Sequence, residues 1–121
     1  MPSGVRLEQI RVSNLTIVNE AQFNNEEITF NVNNTVTKGD KENACFCQSN
    51  VTLFLTKEAN IQKTFFVSLT IQGNLSILQE TSQEDLHSLA VAEVYPHLRA
   101  MLTAIMGSCG MQPILLPPFI Q

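Results

Sequence analysis

The chain has 121 residues and a mass of 13.5 kDa, which fits one domain over residues 1–121. Hydrophobic residues make up 44% and charged residues only 15%, so a chain held open by its own charge is excluded. Seven basic and eleven acidic residues leave a net charge of -4, which gives a nucleic acid no positive field to bind. No stretch offers the roughly 20 consecutive apolar residues of a bilayer span, and Met1 to Arg6 leads into an alternating pattern without an apolar leader, so membrane insertion is not expected and the expected location is the cytoplasm.

Asn, Gln, Ser and Thr supply 38 of the 121 residues, a composition suited to strands and turns. So little charge on a small chain points to a surface partly covered by other copies or by a client. Val5 to Val18 reads as a first strand whose apolar parity changes, from Val5 and Leu7 to Ile10 and Val12 and then to Leu15 and Ile17. Such changes mean either bulges or cover on both faces. Glu27 to Thr37 sets Ile28, Phe30 and Val32 against Thr29, Asn31 and Asn33, and Lys38 to Lys41 follows as a charged turn. Asn43 to Thr56 places Cys45, Cys47, Val51, Leu53 and Leu55 on one face and Phe46 and Phe54 on the other. From Thr64 to Leu78 the alternation is cleanest, with Phe65, Val67, Leu69, Ile71, Leu75 and Ile77 on the core side and Gly73 expected to bend an overlong strand. Four such segments joined by short turns predict an antiparallel sheet.

Thr81-Ser82-Gln83-Glu84 has the form of a capping box and opens a short helix. Tyr95-Pro96 predicts a break, with Pro96 starting the main helix, which runs to about Ser108 and is closed by Gly110. Leu98, Met101, Leu102, Ile105 and Cys109 form its sheet-facing stripe, and Ala100, Ala104 and Ser108 a second face small enough for another helix to approach. Gln112 to Ile120 is too apolar for a free tail and too rich in proline for a helix.

Cys45-x-Cys47 reads as two core thiols, at the far edge of what a disulfide bridges. With His87, His97 and Cys109 the spacings match no closed zinc site, so neither a metal nor another cofactor is expected. His97, placed in the first turn of the main helix, has no evident nucleophile or orienting acid, and phosphate loops and Ser elbows are absent. Asn14, Asn33, Asn50 and Asn74 each open an Asn-x-Ser/Thr triplet, a number that chance supplies in a chain this rich in those residues.

Tyr95-Pro96-His97-Leu98-Arg99-Ala100-Met101-Leu102-Thr103, then glycine, then Pro113 to Pro118, resembles the SecB protein-export chaperones, which carry an aromatic-Pro pair, an Arg three residues on, and a glycine before a proline-containing apolar segment. Gln9 to Ile17 resembles the family's first strand, and Phe65-Phe66 to Gly73-x-x-Ser76-Ile77 its fourth, so the likeness covers most of the chain. It implies an α+β fold, a four-stranded antiparallel sheet backed by a long C-terminal helix, assembling as a dimer of dimers whose helices meet at the centre. The family's last helix has no counterpart before the sequence ends at Gln121, and the positions matching its acidic docking residues for the motor SecA are Asn14, Val18 and Ser68.

The expected function is an ATP-independent, non-enzymatic holding chaperone for unfolded or preprotein polypeptides, with SecA docking doubtful. The alternative is a structural or regulatory assembly protein of the same fold that binds one defined partner, such as a toxin-antitoxin or phage component. Ile28, Phe30, Val32, Phe46, Phe54, Leu115 and Phe119 are the candidate client groove, though the same residues suit an ordinary core. Arg99, Ala100, Thr103, Ala104 and Gly107 are the candidate interface of a homo-oligomer, expected to be a tetramer.

Overall fold

A computed structural model describes residues 4–20, 28–58, 64–79, 82–111 and 116–118. Four strands, β1 (Val5–Asn19), β2 (Ile28–Lys38), β3 (Ala44–Leu55) and β4 (Phe65–Ile77), precede one helix, α1 (Gln83–Ser108). The sheet is antiparallel throughout with the order β1-β4-β3-β2, so the last strand lies between the first and the third. The fold class is the one the sequence predicts.

The parity changes of β1 resolve as bulges. Its register against β4 slips between Leu7 and Gln9 and again between Val12 and Asn14, which leaves Glu8 and Ser13 as the extra residues. Each slip returns the next apolar residue to the same side, so Val5, Leu7, Ile10, Val12, Leu15 and Ile17 all lie opposite core-side residues of β4. β2, by contrast, pairs with β3 without interruption from Ile28 to Lys38.

The core lies between one sheet face and α1. Cys45, Cys47, Val51, Leu53 and Leu55 of β3 and Phe65, Val67, Leu69, Ile71 and Leu75 of β4 are buried. Ser49 shares that side at 0% exposure and stays satisfied by donating its hydroxyl to Asn34 Oδ1 of β2 at 2.5 Å. The other face mixes polar residues with Val18, Phe46, Phe54 and Phe66: Gln48 accepts from Gln72, which accepts in turn from Arg11, and Asn50 donates to Thr70.

Ser82 caps the helix, its side chain accepting from the Asp85 backbone N–H, while Thr81 lies outside the described residues. The expected break at Tyr95-Pro96 does not occur, and α1 continues through Pro96. A proline inside a helix costs about 3 kcal/mol, while each large apolar side chain kept in the core returns about 1.5–3 kcal/mol. Leu86, Ala90, Val94, Leu98, Leu102 and Met106, four apart and all buried, span both sides of Pro96, so one continuous helix is the better solution. Both Pro96 and Ala92, one turn earlier, are exposed, which keeps the missing hydrogen bond out of the core. His97 is therefore mid-helix rather than in a first turn. The stripe also differs from the expected one: Met106 is buried, Met101 and Ile105 are half-buried and Cys109 is exposed. Gly110, at φ 74°, closes the helix as expected.

Gly73 lies within β4, which runs on to Ile77. Its role is approach. A Cβ there would stand 2.7 Å from Val94 Cγ2 and 3.2 Å from Leu7 Cδ1, so glycine lets the helix settle onto the sheet.

Candidate functional site

A groove of about 580 Å³ separates the outer side of β2 from the first half of α1, within the size range of about 300–1,000 Å³ usual for ligand pockets. Val32, Asn33 and Asn34 form one wall. His87, Ser88, Val91, Ala92, Tyr95 and Pro96 form the other, and Pro118 of the tail closes one end. Among the described residues the lining includes no Asp, Glu, Lys or Arg, so the groove suits a neutral segment and offers polar contacts beside apolar ones.

Two tail contacts fix that end. Tyr95 donates its hydroxyl to the Pro117 carbonyl at 2.6 Å, and Arg99 Nε donates to the Leu116 carbonyl at 3.2 Å. They press Leu116 into the core at 3% exposure. Burial raises the Tyr95 phenol above its ordinary pKa, against a smaller opposing effect of Arg99, so the hydroxyl keeps the proton it donates.

The predicted client residues divide. Ile28, Phe30 and Val32 lie on the helix side of β2, with Phe30 at 39% exposure, and Val32 lines the groove. Phe46 and Phe54 pair with Thr37 and Thr29, whose side chains lie on the opposite face. A single groove cannot contain both sets, because the sheet stands between them. Leu115 and Phe119 fall outside the described residues. Most of the lining was missed because only the fold brings the first half of α1 beside β2. The signal available in the sequence was Pro96, whose freed carbonyl needs an exposed position.

On the outer face of α1, Ala100, Thr103, Ala104 and Gly107 are exposed, while Arg99 is half-buried and committed to the tail. Thr103 and Ser108 turn their hydroxyls back onto the carbonyls of Arg99 and Ala104. Asn14, Val18 and Ser68 share the sheet face away from α1, opposite Thr70, Phe66 and Thr16. Glu8 and Glu20 each stand six residues from Asn14; Glu8 is engaged with Arg6 at 2.7 Å and with Ser76, and these two hydrogen bonds lower its pKa, Arg6 first.

The two core thiols offer no nucleophile at neutral pH. Cys45 and Cys47 are buried and unbridged, and desolvation raises both, Cys47 to about 11 despite a hydrogen bond with Ser49. Among the described residues no three His, Cys, Asp or Glu side chains gather in a way that could hold a metal. No described helix is long and apolar enough to cross a membrane.

No protein-family model matches the sequence, and no curated protein does. Among solved structures, the chain is similar to a SecB-like chaperone of Mycobacterium tuberculosis, solved with a peptide from an antitoxin, at TM-score 0.64 and 14% identity over 93% of this chain and 89% of that one. A protein of unknown function from Streptococcus agalactiae aligns at TM-score 0.48 and 12% identity over 97% and 99% of the two chains. At such identities the likeness concerns the fold: a four-stranded antiparallel sheet packed on one long C-terminal helix, as in the SecB-like structure.

Proposed function

We propose that this protein is an ATP-independent holding chaperone that binds unfolded polypeptide segments in the groove between β2 and α1. The observation that carries the reading is the groove itself, neutral, partly apolar and flanked by an edge strand, on a fold shared with a SecB-like chaperone that was solved with a peptide. Ala92 is the residue to test, since it lines the groove yet is exposed and outside the core. Ala92→Glu is expected to leave folding intact and to end the suppression of aggregation of several unrelated unfolded proteins. Wild-type protein that suppresses none of them would reject the reading.

The second reading, one defined partner in a toxin-antitoxin system, is favoured by the source of the relative's peptide, an antitoxin. Suppression limited to one partner would select it. In either case we expect a homo-oligomer, a dimer of dimers packed through Ala100, Thr103, Ala104 and Gly107 with Arg99 at the margin. Ala104→Glu would bury an unpaired charge there, at a cost of several kcal/mol, and should lower the native mass. With the uncharged residues Asn14, Val18 and Ser68 at the positions that match the docking carboxylates, we expect no SecA docking tighter than roughly millimolar, about 4 kcal/mol.

A further inference from the structure

We propose that the outer edge of β2 takes up its client as a fifth, antiparallel strand, so that backbone hydrogen bonds hold the chain and every second side chain enters the groove. The inference rests on the chaperone reading and specifies its mode of binding. Gly39 N–H donates to the Ala44 carbonyl at 2.9 Å, which identifies this as a hydrogen-bonded pair and fixes the alternation along β2 and β3. Thr37, Thr35, Asn33 and Asn31 therefore point their backbone groups inward to β3. The Ile77 N–H to Asn43 carbonyl bond, 2.7 Å, gives the same phase for β3 against β4.

By this alternation Phe30, Val32, Asn34 and Val36 direct their N–H and C=O groups outward, where no described strand pairs with them. Val32 and Asn34 also line the groove. A chain paired to their backbone would share their face, and its bonded residues would turn their side chains into the groove. On the facing wall Pro96 has no N–H to offer the carbonyl of Ala92, and both residues line the groove, so an acceptor stands there for a polar donor of the client. The fitting client is an extended neutral segment, apolar at one parity and of the Thr, Ser or Asn type at the other, without proline at the apolar positions.

The probe is a fluorescent nonapeptide alternating Val and Thr, capped at both ends, with N-methyl groups placed on its Val or on its Thr residues in separate syntheses. Methylation on Val should weaken binding roughly tenfold or more, since it removes a donor from the edge, and methylation on Thr should leave affinity within about twofold. Val32→Pro, which removes only an outward N–H and spares the ladder to β3, should abolish binding while circular dichroism and melting show a folded sheet. Binding indifferent to methylation at either parity, yet lost in Ala92→Glu, overturns strand addition and leaves the chaperone reading standing. Sensitivity confined to Thr overturns the antiparallel arrangement. A β2 edge occupied by a second copy, seen as a mass increase that Val32→Pro removes and the peptide cannot displace, overturns it as well. No peptide binding together with no suppression of aggregation overturns both.

Discussion

The sheet has two edges, and they differ in regularity. β1 carries two bulges, at Glu8 and Ser13, and each breaks the regular spacing that another strand would need. It also leaves Val12 and Leu15 at 45% and 46% exposure on the helix side, where α1 does not cover them. β2 pairs without a slip over its whole length, with an outer edge that has regular spacing and a groove alongside. One edge refuses backbone pairing but offers apolar side chains, and the other offers backbone. A bulge thus decides which kind of contact an edge strand can make.

The difference between the edges depends on how closely α1 sits between them, and Gly73 sets that distance. Gly73→Ala would drive a methyl against Val94 and Leu7, the first on the helix and the second on β1. We expect a loss of about 1–3 kcal/mol, typical of overpacking, in urea unfolding, together with weaker client binding as the groove wall lifts. Unchanged stability would mean that the helix shifts freely and that the groove has no fixed width.

The strands and their faces were legible because alternation at period two survives even in a short chain. β3 and β4 follow their predicted faces residue by residue, and the parity changes of β1 correctly offered bulges as one of two explanations. The continuous helix was not legible, because Tyr95-Pro96 is a local signal for a break and the six buried residues that outweigh it derive their weight from a sheet elsewhere in the sequence. The close approach at Gly73 was hidden for a similar reason: glycine in a strand means either a bend or a close neighbour, and the neighbour, Val94, lies in another element. The candidate site was half legible. Val32 was found by alternation, but Phe46 and Phe54 were grouped with it although alternation alone does not say how strands in different elements share a face.

A smaller effect should appear with alkali. Cys47 pairs in register with both Val36 and Gly73, so it lies beneath the same stretch of helix. Its thiol is raised from 9.0 to about 11, mainly by desolvation. The folded state therefore holds this proton more tightly than the unfolded one, so the contribution is fully present below pH 9 and is lost as the pH rises through about 11. Urea midpoints followed from pH 8 upward should fall across that window, and Cys47→Ala should flatten the fall. At neutral pH, iodoacetamide should modify exposed Cys109 and spare Cys45 and Cys47 until the chain unfolds. Tyr95→Phe should cost about 1 kcal/mol, the net value of one hydrogen bond, and should loosen the tail at the end of the groove.

The smallest change in stability, and the most direct test of the comparison, comes from deleting Glu8 and Ser13 together. Both are extra residues, and without them Leu7, Ile10, Val12, Leu15 and Ile17 would alternate with Gln9, Arg11, Asn14 and Thr16 without a break. Every apolar side chain would keep its face. The lost contacts are exposed ones: the Glu8 pair with Arg6, the hydrogen bond from Ser76 to Glu8, and the hydrogen bond from Ser13 to the Thr70 carbonyl at 3.4 Å. Solvent-screened ion pairs contribute little, so the melting temperature should barely move. What should change is association: a straightened β1 would present a second regular edge beside uncovered Val12 and Leu15, and the native mass should become concentration-dependent. The Val and Thr peptide should then find two sites per chain instead of one. If the deletion instead unfolds the protein, or exposes Val5 to solvent, the bulges do more than blunt an edge, and the difference between β1 and β2 has another origin.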